Sequence, residues 1–122
     1  VTIRKSYGGA HDVMSSKQLR GDFNYAWPTA EIAVMGASGA IEVLEGRNIA
    51  AITDPEERAN YVTQKELEYK EKFANPYEAA AFGYIDDIIE PRNTRFRVIR
   101  AFEALQTKKV LNPPRKHSNM PL

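Results

Sequence analysis

Twice in the first half of the chain, an apolar run rich in β-branched residues meets glycines and small residues, and then a stretch with helical spacing. The first unit is Val1 to Ser6, then Tyr7-Gly8-Gly9-Ala10, then His11 to Lys17. The second is Ala26 to Met35, then Gly36-Ala37-Ser38-Gly39, then Ala40 to Leu44. A strand that runs through a glycine turn into a helix must bury its apolar face under that helix, so the repetition predicts an α/β domain. Pro28 cannot donate to a strand ladder, which starts the second strand after it or puts it at an edge there. Asp12 is expected in the first turn of the first helix, where the helix dipole favours an acid. Gly21-Asp22 and Asn24 mark a turn. The order of strands in the sheet is not readable from the pattern.

Helices dominate the second half. Asp54-Pro55-Glu56-Glu57 offers a cap, a proline at the first helical position and an acid where a capping box places one. The helix should run to about Phe73, with Ala59, Val62, Tyr69 and Phe73 on one face and a solvated face of Lys65, Glu66, Glu68, Lys70, Glu71 and Lys72. Asn75-Pro76 repeats the cap-then-proline signal, and Gly83 is placed to end that short helix. Tyr84 to Ile89 reads as a strand. Thr94 is expected to cap a last helix with Val98, Ile99, Phe102 and Leu105 as its apolar stripe. Arg92, Arg95, Arg97 and Arg100 around that stripe read as salt-bridging, solvated charges before a phosphate site. Residues 112 to 117 should be extended.

Composition narrows the function classes. With 17 basic and 16 acidic residues among 122, the formal charge of +1 gives no reason to propose nucleic acid or an acidic membrane as partner. No apolar run approaches a membrane span, and no secretory signal opens the chain. Cysteine is absent, so there is neither a disulfide framework nor a thiolate metal site. A reducing cytosolic or organelle interior is compatible with that. The chain opens on Val1-Thr2-Ile3, without methionine and directly in an apolar run, and is expected to have been cut from a larger protein.

Few side chains are arranged for chemistry. The histidines, His11 and His117, form no paired or HExxH motif, so a protein-built metal site is not expected. Ser38 in Gly36-Ala37-Ser38-Gly39 is one residue out of the GxSxG frame. Asp86 and Asp87 are neighbours that a strand would point to opposite faces, which makes them a poor acid–base pair. A GxxxxGK[ST] phosphate loop is missing. What remains is the Gly8-Gly9-Ala10 bend. Two glycines before a helix let backbone N–H groups approach a ligand, and at a helix start those groups lack internal partners. They can hold an anion or a developing oxyanion. As a short pattern the bend reads first as a plain tight turn.

Longer stretches carry a resemblance. Arg4 to Lys17, Asn24 to Ala37, Lys72-Phe73-Ala74-Asn75-Pro76, Asp86 to Pro91 and the closing Lys116 to Leu122 together resemble the carboxyltransferase (beta) subunits of biotin-dependent acyl-CoA carboxylases, of the propionyl-CoA type. The resemblance covers nearly the whole chain in order. It implies an α/β, crotonase-like fold of ββα turns stacked in a spiral, with residues 1–122 as the C-terminal portion of the second carboxyltransferase domain and the first domain absent. It implies transfer of a carboxyl group from carboxybiotin to an acyl-CoA, with propionyl-CoA giving methylmalonyl-CoA. By motif match, the backbone amides of Gly9 and Ala10 stabilise the negative charge left on the biotin urea. Gly8, His11 and Asp12 fall among substrate-binding positions. An acid at Asp12 resembles propionyl-CoA enzymes, whereas acetyl-CoA enzymes tend to carry an aliphatic residue; the helix dipole alone would also account for it. His11 departs from the family's usual tyrosine, which puts the local pocket shape in question.

The implied partners are a biotin carboxylase, a carrier bearing the biotin, and further copies of the carboxyltransferase subunit, a hexamer at full length. The implied location is the bacterial cytoplasm or the mitochondrial matrix. Two alternatives stay open. The carboxyltransferase subunit of a sodium-pumping methylmalonyl-CoA decarboxylase is similar. In isolation the chain would be an inactive assembly piece, prone to self-associate through exposed apolar surface.

Overall fold

The computed structural model describes residues 1–111, a mixed α/β domain with two small parallel sheets and several helices. The expected extended segment 112 to 117 lies outside the described residues. In chain order the elements are β1 (Lys5–Tyr7), α1 (Gly8–Val13), a 3-10 turn (Lys17–Leu19), β2 (Tyr25–Ala26), β3 (Glu31–Ala33), α2 (Ala37–Ala51), α3 (Pro55–Lys72), α4 (Pro76–Ala81), β4 (Asp87–Ile88), a second 3-10 turn (Pro91–Asn93) and α5 (Thr94–Leu105).

Pairing shows how the units stack. β1 lies parallel to β3, with Lys5 opposite Glu31, Ser6 opposite Ile32 and Tyr7 opposite Ala33. β2 lies parallel to β4, with Tyr25 opposite Asp87 and Ala26 opposite Ile88. Thr2 bridges Ala26 in the same parallel sense, its N–H donating to the Tyr25 carbonyl at 2.8 Å. The segment Val1 to Ser6 is therefore not one strand, as its composition predicts. Thr2 belongs to one ribbon and Lys5–Tyr7 to the other, because each pairs with a different segment of the next unit.

The main core cluster is small and alanine-rich. Ala26, Ala30, Ile32, Ala79 and Ile85 are buried together, with Ala80 and Ile88 packed against them. Small side chains let α4 come down close onto β3 and β4. α2 and α3 form a helical hairpin outside this core, tied by the Tyr61 hydroxyl donating to Glu45 Oε2 at 2.9 Å.

Helix ends follow the local chemistry. The Asp54 carboxylate accepts the Glu57 N–H at 2.9 Å, and Asn75 Oδ1 accepts the Glu78 N–H at 3.0 Å. Gly83 closes α4 at φ +78°, with its N–H on the Ala80 carbonyl and the Tyr84 N–H on the Ala79 carbonyl, both at 2.9 Å. That pair of bonds is a Schellman closure, which needs the left-handed residue glycine supplies.

Several expectations are corrected. The helix expected over His11 to Lys17 spans Gly8–Val13 instead, because the glycine bend launches it immediately rather than separating it from the strand. It stops where Ser15 takes φ +71°. Asp12 therefore sits in the last turn of α1, and the helix dipole does not explain an acid there. Thr94 opens α5 rather than capping it; Asn93 is the cap residue, and the Thr94 hydroxyl accepts the Trp27 Nε1–H at 2.9 Å. The strand expected over Tyr84 to Ile89 shrinks to Asp87–Ile88. The α5 stripe is not buried within this chain: Ile99 and Phe102 are exposed, and Val98 and Leu105 only half-buried. On α3, Val62 and Tyr69 are half-buried while Ala59 and Phe73 are exposed.

Asp86 and Asp87 serve separate partners, but only Asp87 lies in β4, so strand alternation is not what separates them. Asp86 binds Lys17 at 2.8 Å and accepts the Asn24 N–H at 2.6 Å, whereas Asp87 pairs with Arg97. Arg92 and Arg100 pair with Glu90 and Glu103, the salt-bridging reading of that cluster. Among the described residues no helix is long and apolar enough to cross a membrane.

The two side-chain caps should be separable in stability. Asn75→Ala and Asp54→Ala are each expected to cost about 1 kcal/mol. Urea midpoints at constant slope check this; unchanged midpoints would mean that neither cap contributes.

Candidate active site

The first bend brings together the residues that sequence alone singles out. Tyr7 ends β1 in extended conformation, Gly8 turns at φ +52°, and α1 begins at once. A Cβ on Gly8 would lie 2.8 Å from the Val34 carbonyl oxygen at the end of β3. No other residue type fits there, on torsion and on space together.

Gly9 and Ala10 follow as the second and third residues of α1, so their N–H groups have no carbonyl four residues back within the helix. No side chain among the described residues caps α1, and neither N–H makes a backbone bond outside the helix. Both residues are exposed, and a Cβ added at Gly9 would meet no side chain or distant backbone within 4 Å. The bend thus carries adjacent main-chain donors without protein partners.

Beside it is a cavity of about 710 Å³. Gly8, Gly9, His11 and Asp12 contribute to one wall; Ala10 does not. Ile32, Ala33 and Val34 of the β3 region form the floor, and Tyr69, Phe73, Phe82 and Tyr84 bring an aromatic wall from α3 and α4. Tyr69 and Phe73 pack at 5.4 Å between ring centroids, and Phe82 and Tyr84 stack at 6.3 Å. Sequence reasoning missed this wall. The four-residue step from Tyr69 to Phe73 was its only local signal, and it reads equally as a core face. A mostly apolar cavity with a few convergent polar groups is the usual form of a small-molecule site.

His11 and Asp12 are half-buried. The His11 Nδ1 lies 2.8 Å from the Ser6 hydroxyl, which ties α1 back to β1. On the opposite face of β1, the Tyr7 hydroxyl donates to Glu31 Oε2. Partial burial, and then that hydrogen bond to an acid, push the Tyr7 phenol up to about 12. Among the described residues no group of three or more His, Asp and Glu side chains is arranged to hold a metal ion.

Fold and bend define a class: α/β proteins that present main-chain donors, rather than an activated side chain, at the mouth of an apolar cavity. The pattern of the carboxyl transferase domain matches residues 1–120, and the chain belongs to that family. It is 54% identical over its whole length to the propionyl-CoA carboxylase beta chain of Cereibacter sphaeroides, of which it covers 22%. It is 48% identical, over 98% of its length, to the methylmalonyl-CoA decarboxylase subunit alpha of Propionigenium modestum, again covering 22% of that protein. The crystal structure of transcarboxylase 12S, a hexamer with methylmalonyl-coenzyme A and methylmalonic acid bound, superposes with a TM-score of 0.84 at 43% identity, over 98% of this chain and 22% of that one. The chain thus spans about a fifth of the length of the curated relatives it matches.

The Tyr7 bond has a pH signature. A phenol raised in the folded state from 10.0 to about 12 stabilises the fold fully below pH 10 and loses that contribution as pH rises toward 12. Absorbance titration should therefore show a late phenolate transition that Tyr7→Phe removes, with less loss of stability between those pH values. A late transition that survives in Tyr7→Phe would assign it to another tyrosine.

Proposed function

We propose that this chain is the biotin-side part of a carboxyltransferase that moves a carboxyl group from carboxybiotin to an acyl-CoA, with propionyl-CoA as acceptor and methylmalonyl-CoA as product. The observation that carries the reading is the Gly8 bend, which leaves the Gly9 and Ala10 N–H groups unpartnered beside an apolar cavity. Those residues suit biotin: the two donors match a single carbonyl oxygen, the open space over Gly9 admits a ring, and the apolar wall suits its sulfur-containing side. When bound, carboxybiotin supplies the carboxyl group.

The chain's own part is electrostatic. The Gly9 and Ala10 amides are fixed dipoles, so they meet developing negative charge with little reorganisation. The apolar cavity wall beside Gly9 lowers the dielectric on that side. No side chain of the bend has to gain or lose a proton for this. Gly8 holds the approach angle, and Asp12 on the cavity wall sets preference among acyl groups.

The stacking of strand, strand and helix supports a crotonase-like spiral. Thr2 with Lys5–Tyr7 and α1 forms one turn, and β2 with β3 and α2 the next. Within that reading residues 1–122 are the C-terminal portion of the second carboxyltransferase domain. The chain then works with a biotin carboxylase, a biotin carrier and further copies of its own subunit; the similar transcarboxylase 12S is a hexamer. The relation to a methylmalonyl-CoA decarboxylase subunit favours one second reading, the same site run towards decarboxylation. Co-purification with a biotin carboxylase or with a membrane decarboxylase separates the two.

In the full-length subunit, Ala10→Pro deletes one donor and should lower kcat for carboxyl transfer roughly 10²- to 10³-fold, with KM for acyl-CoA little changed. Full turnover in a folded Ala10→Pro enzyme would remove the site. Asp12→Ile should shift preference from propionyl towards acetyl thioesters, measured as the ratio of kcat/KM values. An unchanged ratio would leave Asp12 without that role.

A further inference from the structure

We infer that Tyr7 is a positioning residue: its phenol, anchored on Glu31 of the neighbouring strand and seated against Gly36, fixes the peptide orientation of the Gly8–Ala10 bend. The inference rests on the reading of that bend as an oxyanion site. Tyr7 is the last residue before the left-handed turn, so its own ψ and the φ of Gly8 aim the next two N–H vectors. Two consecutive glycines leave those torsions little intrinsic restraint. Something outside the bend has to hold them.

The register shows what does. On a parallel pair, Tyr7 lies opposite Ala33 and diagonal to Glu31 on the same face. A long aromatic side chain reaches a diagonal neighbour, and the Tyr7 hydroxyl donates to Glu31 there. The ring is held from a second side: a Cβ on Gly36 would stand 3.4 Å from Tyr7 Cε2, so the ring lies close over the Gly36 backbone at the start of α2. The phenol, raised to about 12, remains a donor at neutral pH, and the bond to Glu31 does not lapse. Neither Tyr7 nor Glu31 contributes to the cavity wall. Tyr7 therefore acts through the bend and not on a ligand in that cavity.

The test uses the full-length subunit in its assembled complex, with Tyr7→Phe, Glu31→Ala, Glu31→Gln and the double variant Tyr7→Phe/Glu31→Ala, beside Ala10→Pro. Tyr7→Phe and Glu31→Ala should each lower kcat about tenfold, with KM for acyl-CoA nearly unchanged, when each variant is assayed at the same interval below its own thermal midpoint. The double variant should be no worse than either single one, because both remove one bond. Glu31→Gln keeps an acceptor oxygen and should stay close to the parent. Full kcat in Tyr7→Phe and Glu31→Ala, while Ala10→Pro is crippled, overturns the positioning role and leaves the site standing. Losses in kcat that vanish when each variant is assayed at that matched interval also overturn it, as a purely structural effect. An Ala10→Pro enzyme with full turnover removes the site itself and the inference with it.

Discussion

The Gly8 backbone lies so close to the Val34 carbonyl oxygen that a methyl group between them would be at 2.8 Å. Much of the site's geometry depends on that contact. It brings the end of β1 against the end of β3, so that the helix leaving β1 starts over the edge of the pair rather than beyond it. Gly8 also turns the chain there at positive φ, and the first amides of α1 that follow have no carbonyls behind them. A larger residue would separate the strands and the helix, and the donors would point elsewhere.

Around this contact the domain is thinly packed. Its main core cluster is built largely from alanine, which permits close approach of α4 to the strands but buries little area per residue. Large apolar side chains remain outside it: Val34 is 79% exposed, Phe82 74% and Phe102 68%. Val34 and Phe82 belong to the cavity beside the bend. They leave the mouth of the site open beside the donors. Electrostatic stabilisation by amides gains most where water is excluded.

The legible parts of the sequence were those set by local chemistry. Asp54-Pro55 and Asn75-Pro76 opened helices because cap and proline act within one turn, and Gly83 closed one for the same reason. The failures came where distant pairing decided. Val1 to Ser6 reads as one strand, yet the chain changes ribbons between Thr2 and Lys5, and only the partners at Ala26 and Glu31 reveal it. Asp12 falls in a first turn only if the glycines act as a spacer, whereas α1 already begins at Gly8. The cavity's aromatic wall comes from Tyr69 to Tyr84, far along the chain from Gly9, and no periodicity connects the two. Only the resemblance to a family gave the bend more than the role of a tight turn.

A site made of main-chain donors leaves few residues for a sequence to display, and this moves the selectable chemistry to whatever holds the backbone still. On β1 the restraint is two-sided. Ser6 and His11 bind across the cavity face, and Tyr7 and Glu31 across the other, so alternate side chains of one short strand grip the bend from opposite directions. The place of His11 then has a physical reading. An imidazole reaches the Ser6 hydroxyl five residues back and ties α1 to β1. Pocket shape and donor orientation are thereby set by different residues. A change at position 11 can alter the first while Tyr7 preserves the second.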